Sequence, residues 1–118
     1  MIEIQDFTHD EGSSFVGWIS SGNVIKKNFG HEIYAVLLKS NQRVLIVELK
    51  RNKDNAVILN ADGSLHCRIK NPDPQAICFG DAYYINDELT LISRRSDASM
   101  LGVVIDENGK LIRAYETR

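Results

Sequence analysis

Short apolar runs separated by polar turns repeat along this chain, and their length and alternation are typical of β-strands. Residues 2–7 alternate apolar and polar side chains and predict a short first strand. No stretch carries apolar residues at helical spacing over ten or more positions. The pattern therefore predicts an all-β fold of antiparallel hairpins. The later runs cover residues 15–19, 24–27, 33–38, 43–49, 56–59, 65–69, 76–79, 82–85, 89–92, 101–105 and 111–115.

Two of these hairpins share one turn chemistry. Gly63 and Gly109 follow short polar runs, Asn60-Ala61-Asp62 and Asp106-Glu107-Asn108. Glycine supplies the positive φ that closes a hairpin through a bulge, and the side chain of Asn60 or Asp106 can fold back onto the turn amides. The two segments are interpreted as two copies of one hairpin.

Several further expectations follow from the pattern. The nearly continuous apolar run of residues 33–38 predicts a strand covered on both faces. Residues 71–74 contain two prolines and predict a loop. Residues 76–79 and 82–85 predict two short strands, and residues 94–98 a polar loop.

The similarity extends beyond the turns. Superposing Gly63 on Gly109 gives an offset of 46 residues, and the preceding hairpins also align at offsets of 45 to 47. This predicts a single domain, residues 1–118, with four-strand units at residues 33–70 and 76–117. Residues 15–27 form a half unit before them.

With these turns and this period, residues 15–117 resemble degenerate β-propeller blades. A closed propeller needs about four to eight blades, and the chain has about two and a half. Either several chains complete a ring, or the sheets form an open partial propeller or sandwich, which we favour because a self-contained core is the commoner solution. A third interpretation, that the hairpins are alike through turn chemistry alone, stays open.

Length and cysteine content place the chain in a broad class. Its 118 residues are enough for about one domain. No apolar run approaches the ~20 residues of a membrane span, and residues 1–6 lack the features of a signal peptide, so we expect a cytoplasmic protein without a membrane partner. Cys67 and Cys78 are predicted to be buried free thiols, although a bridge between them is also possible.

The distribution of charge says more than the net charge of −2, which argues against general nucleic-acid binding. Residues 1–25 and residues 71–93 each carry four acidic side chains and no Lys or Arg. The segment between them is predominantly basic. The acidic segments are either ordinary solvated surface or an acidic face for a basic protein partner.

No motif indicates a reaction. The three histidines are not at metal-ligand spacing, neither cysteine lies on a sharp turn beside a base, and no glycine-rich phosphate loop is present. The acidic pairs Asp10-Glu11 and Asp87-Glu88 lie in predicted turns among polar neighbours, where nothing would raise a carboxyl pKa. We therefore expect no catalytic residue, metal site or cofactor. An enzyme or ligand-binding module would need a pocket that the sequence does not indicate.

Protein binding remains, and aromatic side chains are the natural anchors for it. Trp18 lies in an apolar strand and is expected in the core. Tyr83 and Tyr84 are adjacent on a strand, so they point to opposite faces, one to the core and one to the surface. The candidate partner-binding residues are Asp73, Asp81, Tyr83, Tyr84, Asp87, Glu88, Asp10 and Glu11.

In general type the chain resembles immunity proteins of bacterial toxin systems such as contact-dependent growth inhibition. Those proteins are short, lack enzyme motifs and often present acidic surfaces to basic nuclease toxins; they share no motif, so no residue role carries over. The resemblance implies a monomeric, non-enzymatic protein that covers the cationic cleft of a toxin. The alternative is a structural module that self-assembles into a larger propeller.

Overall fold

The computed structural model describes residues 3–117, which form eleven β-strands and no helix. The all-β prediction is confirmed. The strands are β1 (Gln5–Thr8), β2 (Phe15–Ser20), β3 (Asn23–Asn28), β4 (Ile33–Leu37), β5 (Arg43–Glu48), β6 (Ala56–Asn60), β7 (Leu65–Ile69), β8 (Ala76–Ile85), β9 (Glu88–Arg95), β10 (Met100–Ile105) and β11 (Leu111–Thr117).

The strands make three open antiparallel sheets. The N-terminal sheet is β1-β2-β3, the central sheet is β4-β5-β6-β7, and the C-terminal sheet is β8-β9-β10-β11. Strands that follow one another in sequence lie side by side, because short turns join antiparallel neighbours. Each sheet is therefore a simple meander with two open edges.

The central sheet lies between the other two. In β5, Val44 and Ile46 pack into a cluster with Trp18 of the N-terminal sheet. Leu45 and Val47 point the other way, into a second cluster with the C-terminal sheet. These four residues of β5 have 0% exposure. Trp18 is 2% exposed, which confirms the prediction that Trp18 lies in the core. The result is an open, three-layered sandwich.

The strand predicted to be covered on both faces was misplaced. Residues 33–38 contain β4, an edge strand whose residues 34–37 are only partly buried. In contrast, β5 and β6, at the middle of the central sheet, have successive residues buried and are therefore covered on both faces. Position within a sheet, and not the apolar run alone, decides how much of a strand is covered.

The prediction of two short strands at residues 76–79 and 82–85 was wrong. They form one strand, β8, whose pairing with β9 shifts register twice, between Ala76 and Cys78 and between Phe79 and Asp81. A bulge absorbs an extra residue without ending a ladder. β9 likewise continues to Arg95, into residues 94–98 that were predicted as loop.

The first strand begins later than predicted. Residues 2–7 were expected to form it, but β1 begins at Gln5, and Ile2 lies outside the described residues. Asp6 adopts a φ of 52°, and the pairing with β2 shifts register between Gln5 and Thr8. A left-handed residue interrupts the alternation that the sequence suggested.

The two glycine turns form as predicted. Gly63 and Gly109 have φ of 88° and 78°, and each hairpin shifts register one step before its turn, which indicates the expected bulge. Asp106 Oδ1 accepts hydrogen bonds from the backbone N–H groups of Asn108 and Lys110, at 2.9 and 3.0 Å. In the other turn Asp62, and not Asn60, accepts the N–H of the residue two positions on, at 2.9 Å.

Cys67 and Cys78 are free, so no bridge joins them. Both are only partly buried, which corrects the expectation of fully buried thiols. Burial raises the pKa of the Cys67 thiol. Its Sγ donates a hydrogen bond to the backbone carbonyl of Asn108 at 3.3 Å, so this thiol helps to seat the second glycine turn on the central sheet.

Candidate protein-binding surface

Two residues from the two acidic segments, Glu11 and Asp81, lie near enough to Tyr34 for their charges to influence its pKa. Tyr34 lies on β4, Asp81 on the adjacent strand β8, and Glu11 in the turn after β1. The Asp81 charge raises the pKa of Tyr34, with further contributions from burial, Glu32 and Glu11. Such effects require proximity. We name Glu11, Glu32, Tyr34 and Asp81 the Tyr34 cluster.

Within the described part of the chain, the carboxylates of the Tyr34 cluster are not neutralised by ion pairs. Among residues 3–117, Glu11, Glu32 and Asp81 have no cationic nitrogen within 4.0 Å. Glu11 and Glu32 are exposed, and Asp81 is partly buried. The cation nearby is Arg94, whose charge lowers the pKa of Tyr34. The cluster is therefore a predominantly acidic surface around a partly exposed aromatic side chain.

The bulge in β8 positions Arg94 beside this cluster. At Gly80 a Cβ would overlap the side chain of Arg94, so that side chain lies directly across the strand backbone. The same bulge follows Phe79, which is fully buried, and precedes Asp81. A residue with a side chain at position 80 would displace Arg94 from this path.

A cleft of about 420 Å³ adjoins Tyr34 and is also lined by Gly80 and Arg94. Apolar side chains of Leu49 and Ile77 line it, together with Lys50 and Arg51 from the loop after β5. The Tyr34 side chain therefore borders both an acidic patch and a partly apolar cleft with basic residues.

Asp10 lies apart from the Tyr34 cluster, in a different cleft. This cleft, of about 330 Å³, lies on the outer face of the N-terminal sheet and includes His9, Phe15 and Lys26. Phe15 is 54% exposed, and His9 Nδ1 lies 2.8 Å from the backbone oxygen of Phe15. Glu11, the next residue in sequence, does not line this cleft.

Tyr84 and Asp87 join the central and C-terminal sheets. Tyr84 Oη accepts a hydrogen bond from the Lys39 backbone N–H at 3.0 Å, and Lys39 Nζ lies 4.9 Å from the tyrosine ring centroid. Burial raises the pKa of Tyr84. Lys39 forms an ion pair with Asp87, and this contact lowers the pKa of the Asp87 carboxyl. Glu107 strengthens the same junction by accepting hydrogen bonds from the backbone N–H and hydroxyl of Ser40, at 3.1 and 2.6 Å.

Tyr83 and Glu88 lie on the outer face of the C-terminal sheet. Tyr83 is 43% exposed, whereas Tyr84 packs against the core, so the two neighbours point to opposite faces as predicted. Arg113 holds Glu88 in a two-pronged ion pair, with Nη1 to Oε2 at 2.6 Å, and lowers the pKa of the Glu88 carboxyl.

Asp73 does not reach the surface. It is 3% exposed and forms an ion pair with Arg95, with Oδ2 to Nε at 2.5 Å. The hydrogen bond from Arg95 lowers the pKa of the Asp73 carboxyl. This aspartate anchors the connection between the central and C-terminal sheets.

Sequence reasoning identified Asp81 and Glu11 but missed Tyr34 and Glu32. Tyr34 was hidden within an apolar run that predicted burial on both faces. Its exposure depends on β4 being an edge strand, which no local pattern indicates. The feature of the sequence that could have indicated a partly exposed Tyr34 was Glu32, an acidic residue directly before that strand.

Comparison with known protein-family models and with curated proteins finds no match for this chain. Among the described residues, no helical segment has the length and hydropathy of a membrane span. In the same part of the chain, no three His, Cys, Asp or Glu side chains come together in an arrangement able to hold a metal ion.

Proposed function

We propose that this chain is a non-enzymatic protein-binding protein, and more specifically an immunity protein that covers the cationic cleft of a basic bacterial toxin. The observation that supports this proposal is the Tyr34 cluster. Three carboxylates without ion-pair partners among the described residues lie near enough to one partly exposed tyrosine for their charges to raise its pKa. They come from the N-terminal, central and C-terminal parts of the chain.

The physical chemistry of the cluster suits a cationic protein. Tyrosine offers a large apolar ring with a polar tip, and such residues often carry a large share of interface energy. Unpaired surface carboxylates attract lysine and arginine side chains and mainly accelerate association. A toxin whose substrate is an anion has a cationic cleft, so covering that cleft would exclude the substrate.

The test begins with the protein encoded beside this chain in its native genome, because an immunity gene is expected next to its toxin gene. The two purified proteins are mixed, and association and dissociation rates are measured at low and high salt. We expect Glu32→Lys to slow association and weaken its salt dependence. Tyr34→Ala is expected to increase the dissociation rate by about tenfold or more, the scale of a hot-spot residue.

Glu3→Lys is the matched control, since it makes the same charge change at an exposed position outside the Tyr34 cluster. This variant should bind at nearly the wild-type rate. If the neighbouring protein does not bind, the immunity proposal is wrong. If Glu32→Lys and Tyr34→Ala both bind like the wild type, the Tyr34 cluster is not the binding surface.

A second candidate function is a self-assembling partial β-propeller module. The observation that favours it is the serial packing of glycine turns. A Cβ at Gly63 would lie 3.0 Å from Ile25 of the N-terminal sheet, and one at Gly109 would lie 2.8 Å from Cys67 of the central sheet. Each turn therefore rests on the sheet before it, as successive blades would.

Ring closure would have to cover the outer face of the C-terminal sheet. In the central sheet, the equivalent face carries the cross-strand row Leu45, Ile58 and Cys67. In the C-terminal sheet that row begins with Thr90 and ends with Arg113. Polar replacements at these positions favour an end layer over an interior one.

The self-assembling partial β-propeller has a separate test. A ring built from several chains would bring Phe15 and Tyr83, on the two outer faces of the stack, into interfaces. Phe15→Glu and Tyr83→Glu should then each abolish assembly in sedimentation velocity. Assembly that survives both changes would exclude ring closure.

A further inference from the structure

The three sheets leave six edge strands within the described residues: β1, β3, β4, β7, β8 and β11. An exposed edge presents unpaired backbone N–H and C=O groups, which invite pairing with another chain. Native proteins usually block such edges with short strands, bulges, prolines or charged side chains. The six edges differ in how well they are blocked.

Five of them carry such features. β1 has four residues and an irregular register. β3 contains Lys26 and Lys27, and β7 contains Arg68. β8 has two register shifts and lies beside β4, so these two edges partly shield each other.

β11 is different. It has seven residues, and residues 111–116 are all exposed. It contains no proline, and its pairing with β10 shifts register only near its start, at Leu111. Ile112 is 57% exposed and Tyr115 is 37% exposed. A long, regular and partly apolar edge is therefore open to solvent.

The charged side chains of β11 form ion pairs with residues of their own sheet. Arg113 is held by Glu88, with Nη1 to Oε2 at 2.6 Å, and Glu116 lies 3.4 Å from Arg95 Nη2. Tyr115 lies so close over its cross-strand neighbour Gly102 that a Cβ there would overlap the ring. The charged side chains are thus partly neutralised within one chain and do little to guard the backbone edge.

We propose that β11 pairs in antiparallel fashion with β11 of a second copy, around a two-fold axis at Ala114. The two C-terminal sheets then form one continuous sheet across the dimer. A two-fold axis normal to the sheet keeps residues opposite each other on the same face, and antiparallel pairing satisfies the edge groups of both chains.

The sequence of β11 selects this register. Centred at Ala114, the pairing uses the regular part of β11 that follows the register shift at Leu111, and it places Arg113 opposite Tyr115 of the second copy, where the two form a cation–π contact. Centred one residue earlier, it would place two Arg113 side chains opposite each other, which is destabilising. The Ala114 register therefore places complementary side chains opposite each other.

The test is sedimentation equilibrium of the full chain over micromolar to millimolar concentrations. We expect a monomer–dimer equilibrium in the wild type. Ala114→Lys places two lysines opposite each other at the axis and should shift the dissociation constant upward by about tenfold or more, the effect of at least about 1.4 kcal/mol. Ala114 is exposed, and circular dichroism verifies that the variant folds.

Val24→Lys is the matched control, because it adds the same charge to another exposed edge strand, β3, at a position that is 70% exposed. It should dimerise like the wild type. A wild type that stays monomeric over the whole concentration range overturns the proposal. It does so even if β11 pairs with a strand of another protein instead. A dimer that Ala114→Lys leaves unchanged also overturns it.

A cross-link tests the register directly. In Ala114→Cys the introduced thiols of two copies would face each other, and opposite residues in antiparallel strands have Cβ atoms about 4.5–5.5 Å apart. Mild oxidation should then give a covalent dimer whose bridge maps to position 114 in both copies. Ala61→Cys, on a turn far along the chain from β11, is the control and should give much less cross-linked dimer. Equal cross-linking of the two variants would contradict the proposed register.

Discussion

Two aspartates from one acidic segment, Asp73 and Asp81, have opposite surroundings. Asp73 is buried against Arg95, whereas Asp81 lies beside Tyr34 with no cation within ion-pair distance among the described residues. The same residue type therefore stabilises the fold at one position and leaves a charge available to a partner at the other. The neighbour, not the amino acid, determines which role applies.

Asp73 allows a prediction about pH. Its folded-state pKa is lowered by Arg95, so it contributes stability above its unfolded pKa of about 3.9, and that stability is lost as the pH falls through its folded pKa. At neutral pH, Asp73→Asn should reduce the free energy of unfolding by about 1 to 3 kcal/mol. The difference from the wild type should disappear at acidic pH, as measured by urea unfolding across the pH range.

Glu3→Gln is the control for Asp73→Asn, because it removes an exposed carboxylate. It should change the free energy of unfolding little at any pH. A loss of stability in Asp73→Asn that stays constant from neutral to acidic pH would show that the ion pair with Arg95 is not its cause.

Among the elements, the glycine hairpins were predicted well and the strand β8 was not. A turn is encoded within a few neighbouring residues, so Gly63 and Gly109 could be assigned positive φ from their context alone. β8 was divided into two short strands at Gly80-Asp81, which separates two apolar runs. Pairing with β9 carries the ladder across that position by a bulge, and this depends on residues of another strand.

The second hairpin provides the prediction at this level. Gly109→Val forces positive φ on a β-branched residue, which costs about 1 to 3 kcal/mol, and its Cβ would also press on Cys67 Sγ at 2.8 Å, for about 1 to 3 kcal/mol more. We expect a clearly lower melting temperature by circular dichroism.

Gly12→Val separates the two contributions. Gly12 also has positive φ, 84°, but a Cβ there would meet nothing within 4 Å. This control should therefore lose less stability than Gly109→Val. Equal melting temperatures for the two variants would mean that the second hairpin does not press on the central sheet.

For the whole molecule, the order of the layers determines where the fold is most stable. β5 and β6 lie in the only sheet, among those described, that is covered on both faces. The N-terminal sheet contributes one face to the core and exposes the other, including Phe15. Opening the outer layer therefore disrupts one interface, and opening the central sheet disrupts two.

Hydrogen exchange measures this difference. Backbone amides of β5 and β6 should exchange most slowly, and those of β1 and β3 much faster, because local stability follows buried contacts. The comparison is made between strand-paired amides only, so that solvent-exposed loops do not contribute. Equal protection in β3 and β6 would indicate that the layers open as one unit.

The oligomeric state also belongs to this scale. Sequence reasoning favoured a monomer, because a self-contained core is the commoner solution for one domain of this size. The sheet edges could not be located without knowing which strands pair. The open edge of β11 leads to the dimer proposed above. That interface and the Tyr34 cluster use different residues, so one proposal can fail without the other.

The sequence by itself determined most of the strands, the glycine turns, the absence of helix from the described chain and the place of Trp18 in the core. These depend on alternation and turn chemistry within a few residues. Only the tertiary structure decided that β4 lies at an edge, that Asp73 is buried, and that Glu11, Glu32 and Asp81 lie near enough to Tyr34 to influence its pKa. Those features arise from contacts between residues far apart in the chain, which local patterns do not encode.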